Sequence, residues 1–205
     1  SAASDVYKRQ LLRLPSQFEH KGEAPPPFPG EEGPATRLLS ARSDDGIHWV
    51  KENIIITEWG DVPDAIYDGE NIRVYYLQID RIKVAISNDG VHWSEKEVTL
   101  EDMPAGEGYC DPDVIRLPDG RYRMYFYAPP IVEGDPALIP GPHRIKSAIS
   151  EDGFHFRVEE GTRYEAEWIT DPDVVQLDNG WRMFLSSGEE EVVSAFSPDG
   201  VSFTF

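Results

Sequence analysis

An all-β fold, a β-propeller of four-stranded antiparallel blades, is what this sequence predicts, on three observations. A unit Ser-x-Asp-Gly-x-x-aromatic recurs four times, at residues 43–49, 87–93, 150–156 and 197–203. Its glycines, Gly46, Gly90, Gly153 and Gly200, are 44, 63 and 47 residues apart, and a supersecondary unit returning every roughly 40–50 residues marks a propeller or a similar array. A second motif alternates with it: Pro63-Asp64, Asp111-Pro112-Asp113 and Asp171-Pro172-Asp173, each followed by an Asp-Gly or Asn-Gly turn and an aromatic-rich run. Finally, no stretch sustains a 3.6-residue apolar period with caps at both ends, so no helix is expected.

Taken in order, the chain reads as follows. Residues 1–34 have no counterpart in the repeats. Residues 1–10 read as sequence foreign to the domain, and residues 22–34, rich in Pro, Gly and Glu, as a long disordered loop. The propeller occupies 35–205, with blades near 35–60, 61–105, 108–165 and 168–205. The first blade shows only its last two strands, near 37–43 and 47–56. In the others, a first strand opens on the Pro-Asp motif. A turn at 68–71, 118–120 or 178–180 then reverses the chain, because Gly supplies the positive φ a hairpin needs. A third strand leads into Ser-x-Asp-Gly, and a fourth starts at Trp93, Phe156 or Phe203. About four blades of a five-bladed type are represented, so the sequence is expected to be a fragment of a longer propeller.

Composition narrows the partners. Nineteen Lys and Arg stand against 38 Asp and Glu, a net charge of −19. Nucleic acid is disfavoured, since its phosphates need a basic face. Anionic glycans are disfavoured too, whereas a cation or a neutral sugar fits. Cys110 is the single cysteine, which excludes an intrachain disulfide and leaves the compartment open. No apolar run approaches the length of a membrane span, so no membrane partner is expected. Oligomeric state is not legible.

Blade geometry places the candidate site. The loops entering each first strand and the loops between strands two and three share one face, and the Ser-x-Asp-Gly turns lie on the other. Asp64, Asp111, Asp113, Asp171 and Asp173 therefore gather at the channel mouth, with Trp59, Tyr109 and Trp168 just upstream. Flat rings beside carboxylates suit a sugar: the rings stack on its apolar face and the acids take its hydroxyls. The loop at 128–143 adds Glu133 and Asp135 with His143 and Arg144, and the loop at 186–191 adds Glu189, Glu190 and Glu191. Crowded acids repel, which raises the pKa of one while another stays ionised, the division of labour that cleaves a glycosidic bond. Carboxyl groups roughly 5–5.5 Å apart would imply retention, and roughly 6.5–9.5 Å inversion. For Asp111, Asp113, Asp171 and Asp173 the competing role is to cap strand starts or to hold exposed backbone N–H groups between blades. The four Ser-x-Asp-Gly turns are accounted for by local hydrogen bonding. His48, His92 and His155 sit in separate blades, so three histidines do not make a zinc site. Ca²⁺ among the channel Asp residues is the one cation considered; no other cofactor is expected.

At these residues the chain resembles the five-bladed propeller glycosidases: the arabinanase and β-xylosidase group, glycoside hydrolase family 43, and the invertase and levansucrase group, family 32. The resemblance covers about residues 36–205 and is clearest at 111–127 and 171–185. It implies that Asp111 or Asp171 is the general base and that Asp64 is the carboxylate tuning a neighbour's pKa. The family's acid is a Glu, often in Glu-Gly-Pro. Glu32-Gly33-Pro34 has those letters but precedes a third strand, so Glu133 is the nearest acid by topology. The expected function is hydrolysis of a neutral oligo- or polysaccharide. A non-catalytic carbohydrate-binding propeller is the alternative. A phosphorylase of similar fold comes third, since only His143 and Arg144 could meet a phosphate.

Overall fold

A computed structural model describes residues 36–131, 141–188 and 191–205. The N-terminal segment 1–34, Glu32, Glu133, Asp135, Glu189 and Glu190 lie outside the described residues. Every element among those described is a β-strand, and all sheets but one contact are antiparallel. No described helix is long and apolar enough to cross a membrane. The chain divides into two compact units, one ending at Glu97 and one running from Val98 to Phe205.

In the first unit, β1 (Leu38–Arg42) pairs with β2 (Val50–Thr57). A separate meander follows: β3 (Asp61–Tyr67), β4 (Ile72–Gln78), β5 (Arg81–Ser87) and β6 (Ser94–Glu97), hydrogen-bonded in that order. This is the four-stranded blade that the hairpin signals predict. Its central strand carries Val74, Tyr75 and Tyr76, none of them exposed. Leu38, Ile56, Ala65, Val74, Tyr76 and Ala85 form one core cluster, so the apolar faces of both sheets are buried together, the usual reason such sheets stack.

The second unit holds two sheets. One contains β8 (Cys110–Arg116), β9 (Tyr122–Tyr127), β10 (His143–Ser150) and β11 (His155–Val158), again a meander. The other is β13 (Ile169–Leu177), β14 (Gly180–Ser187) and β15 (Val192–Ser197). Its fourth strand is reduced to one bridge, Phe196 with Thr204, closed by hydrogen bonds of 2.8 and 2.9 Å. Strand β9 is buried along its whole length. Ile115, Tyr125, Ile145, Ile169, Met183, Leu185 and Phe203 belong to one core cluster drawn from both sheets.

Two strands depart from the expected blade plan. Residues 99–101, assigned from sequence to the second blade, form β7 (Thr99–Glu101), which pairs in parallel with β11 of the following sheet, His155 opposite Thr99. The short β12 (Tyr164–Ala166) pairs with the first half of β10, which the four-residue β11 leaves open. Both cover sheet edges whose unpaired N–H and C=O groups would otherwise face water or another chain.

The repeated turns are built from their own side chains. In each copy the Asp carboxylate (Asp45, Asp89, Asp152, Asp199) accepts the N–H groups two and three residues on, at 2.7–3.0 Å. The Ser hydroxyl accepts the Gly N–H at 2.8–2.9 Å. All four glycines sit at φ between 71° and 77°, where a Cβ would be strained. His48, His92 and His155 place Nδ1 2.6–2.8 Å from the Asp of their own turn. These histidines therefore brace turns, as local hydrogen bonding predicts.

Candidate functional site

The three Pro-Asp motifs share a backbone device that no pattern in the sequence announces. In β3 the register with β4 jumps between Asp61 and Asp64; in β8 it jumps between Cys110 and Asp113; in β13 it jumps between Thr170 and Asp173. Each jump is a β-bulge, and at each the residue before proline is left-handed: Val62 at φ 43°, Asp111 at 52°, Asp171 at 51°. Proline disfavours a helical backbone in the residue before it, and a β-branched residue at positive φ is rarer still. The geometry survives even in the second blade, where Val62 offers no carboxylate. Bulges re-aim a side chain out of the pleat, and strained backbone gathers at functional positions.

In the second unit the bulges of β8 and β13 bring two carboxylates together. Asp111 is partly buried. Burial, and then the charge of Asp171, push the Asp111 carboxyl up to about 6. The Cys110 thiol, 3.6 Å from Asp111 Oδ2, and the Asp171 N–H act in the opposite direction and do not outweigh them. Asp171 is exposed, and the Thr170 hydroxyl donates to its Oδ2 at 2.6 Å. Cys110 is itself pushed far up, by burial first and Asp111 second, so it stays a neutral thiol and no nucleophile. Tyr127, across the ladder from Cys110, is pushed up to about 12 by burial, then by Cys110 and Asp111. The surroundings of Asp111 are thus acidic.

The second Asp of each motif has a different setting. Asp113 is 5% exposed, and its Oδ2 accepts the N–H of Val174 at 3.1 Å. It ties β8 to β13. Asp173 is exposed. Asp64 follows the bulge of β3 in the first unit and is partly buried.

The remaining expected site residues divide similarly. Trp59 and Tyr109 are partly buried, and the Trp59 carbonyl accepts from Gln78 Nε2 at 3.1 Å. Trp168 is 46% exposed. His143, expected to meet substrate, is 2% exposed. It is stacked on Tyr127 (centroids 5.1 Å apart, planes at 17°) and packed against Trp168 at 4.6 Å, with Nδ1 3.3 Å from the Ile169 carbonyl oxygen. Its position at the first residue of β10, under two aromatic rings, encloses it. Arg144 is drawn to Glu165 at 2.6 Å and Glu107 at 3.9 Å, and Lys146 to Glu107 at 3.2 Å. Both cations are already neutralised, which argues against a phosphate at this end of β10. Cys110 and Tyr127 adjoin Asp111 and are not among the residues expected from sequence to form the site. The signal for them is proximity to Asp111, in sequence for Cys110 and across one hairpin for Tyr127.

Among the described residues no group of three or more His, Cys, Asp or Glu side chains is arranged to hold a metal ion. Ca²⁺ takes six to eight oxygens, so Asp111 and Asp171 would need further ligands to bind it.

No family model matches the sequence, and no curated protein matches it. Solved structures do. A thermostable family-43 glycoside hydrolase superposes with a TM-score of 0.65 at 14% identity, over 83% of this chain and 65% of that one. A GH32 β-fructofuranosidase of Bombyx mori gives 0.58 at 18% identity, over 71% of this chain and 34% of that one. The β-fructofuranosidase of Schwanniomyces occidentalis complexed with fructosyl-erythritol gives 0.57 at 20%, over 71% and 33%. The chain spans about a third of the fructofuranosidases' length. At these identities the likeness is one of fold: the architecture is that of the β-propeller glycosidases, as the blade repeat and the Asp-Pro motifs lead one to expect.

Proposed function

We propose that this chain carries the base side of a glycosidase site that hydrolyses glycosidic bonds of a neutral oligo- or polysaccharide, with Asp111 as the general base. One observation carries the reading: two bulged first strands hold Asp111 and Asp171 together, and burial with the Asp171 charge raises Asp111 to about 6. A carboxylate of that basicity is still ionised at neutral pH and accepts a proton more readily than an ordinary one. In the proposed reaction, Asp111 takes the proton of a water molecule as the water oxygen bonds to the anomeric carbon. The bond from that carbon to the leaving oxygen breaks, and the leaving oxygen receives a proton from an acid on the opposite side of the sugar. Asp171 tunes the base. Asp64 in a pKa-tuning role and Glu133 as the acid follow from the resemblance to family 43.

The neutral character of the substrate rests on the net charge of −19 and on Arg144 and Lys146 being held by carboxylates. The same ion pairs weigh against a phosphorylase. The experiment is turnover of aryl arabinofuranoside, xyloside, fructoside and galactoside by the protein and its Asp111→Asn, Asp171→Asn, Asp64→Asn and Glu133→Gln variants. Turnover abolished by Asp111→Asn and weakened by Asp171→Asn is the expected result. A folded parent that binds these sugars without turnover would instead make the chain a carbohydrate-binding propeller.

A further inference from the structure

We infer that the cavity beside Trp168 is a subsite for a chain of neutral sugars, taking units remote from the bond cleaved at Asp111; this rests on the glycosidase reading. The cavity measures about 480 Å³ and is walled by Tyr164, Trp168, Val193 and Phe205, with Glu167 and Ser187 as its polar members. Its volume falls within the roughly 300–1,000 Å³ of small-molecule sites.

Three features suit it to sugar. First, Trp168 is a fixed platform. His143 packs against the indole at 4.6 Å and is itself backed by Tyr127. Gly188 lies against the indole so closely that a Cβ there would come 3.0 Å from Trp168 Cβ and Cγ. The residue is still 46% exposed. A rigid, half-open aromatic face loses little entropy when a pyranose or furanose stacks on it. Second, a carboxylate and a hydroxyl, from Glu167 and Ser187, line the same space and offer partners to sugar hydroxyls. The acidity of the chain rejects an anionic occupant. Third, Trp168 immediately precedes Ile169, which pairs with Ser187 at the end of β14, so it lies at the same end of β13 as Asp171. Trp168 precedes Asp171 by three residues, roughly 10 Å along a strand. A short oligosaccharide spans that distance and a single ring does not.

The test is isothermal titration of the Asp111→Asn protein with arabino-, xylo-, fructo- and galacto-oligosaccharides and with the matching monosaccharides. One oligosaccharide should bind more tightly than its monosaccharide, and Trp168→Ala should weaken that binding about tenfold, while Trp168→Phe, which keeps a stacking ring, should retain most of it. Ser187→Phe, which fills the cavity from β14, should weaken it as well, and melting curves establish that each variant is folded. Oligosaccharides that bind no better than monosaccharides, or an affinity unmoved by both Trp168→Ala and Ser187→Phe, would overturn the inference. Aryl-glycoside turnover by the parent reports separately on the catalytic reading. Turnover with an inert cavity sinks the subsite alone, and oligosaccharide binding without turnover sinks the catalysis alone.

Discussion

Replacing Asp111 by Asn should stabilise the protein at neutral pH while abolishing the proposed glycosidase activity. The Asp111 carboxyl is raised from 3.8 to about 6, by burial and by the Asp171 charge. Between those two values the folded chain holds a proton that the unfolded chain has released. Stability therefore falls as pH rises through this window, and the loss is complete above about 6. The gap sets an upper bound of about 3 kcal/mol, at about 1.4 kcal/mol per tenfold change in proton affinity. Solvent reaches part of the carboxyl, which reduces this to about 1–2 kcal/mol. Asn removes the charge, keeps the shape and tolerates the left-handed backbone as Asp does, so the bulge at φ 52° is preserved. In a chain of this length that is a rise in Tm of about 2–8 °C. Calorimetry at pH 7.5 should show the gain, and at pH 4, where the folded parent also holds its proton, the gain should nearly vanish. An Asp111→Asn protein that melts no higher than the parent at pH 7.5, or gains equally at both pH values, would refute the electrostatic argument.

Three further outcomes follow from side chains that hydrogen-bond to the backbone. Asp113→Ala strands the buried Val174 N–H and should cost about 1–3 kcal/mol in urea unfolding, whereas Asp113→Asn, which keeps an acceptor, should cost less. Ser197 is wholly buried, accepts the Gly200 N–H at 2.9 Å and donates to Asp199 at 2.7 Å; Ser197→Ala should cost about 1–2 kcal/mol, more than Ser43→Ala in the more open copy. Asp199 is pulled down to about 2 by the N–H groups of Ser202 and Val201 and by the Ser197 hydroxyl. Its contribution is present above the ordinary carboxylate value and lost as pH falls toward 2, so acid unfolding of Asp199→Asn should be less steep over that window.

The sequence makes local structure legible and leaves packing largely hidden. Each Ser-x-Asp-Gly turn is closed by atoms within four residues, so its chemistry and its period can be read directly, and with them the blade. The Asp-Pro motifs are equally visible as positions. What they do depends on the bulge, and Val62 shows why the bulge could not be read: a β-branched residue before proline is among the worst candidates for a left-handed backbone, yet the strand pairing imposes it. Asp113 and Asp173 are alike as letters, but only Asp113 faces a neighbouring strand with an N–H to satisfy. His143 neighbours Arg144 at a loop end, and its burial is decided by Tyr127 and Trp168, residues distant from it in sequence. Strands β7 and β12 escaped for the same reason, since each exists only to pair with a sheet edge formed elsewhere.

The central claim is that Asp111 is a base made stronger by Asp171, and the pH dependence of kcat/KM tests it most directly. With whichever aryl glycoside the protein turns over, the rate should rise with pH through an acid limb near 6, the value to which Asp111 is raised. In Asp171→Asn that limb should move toward lower pH, because the repelling charge is gone while burial remains. A limb near 4 in the parent, or one near 6 that Asp171→Asn leaves in place, would contradict the account.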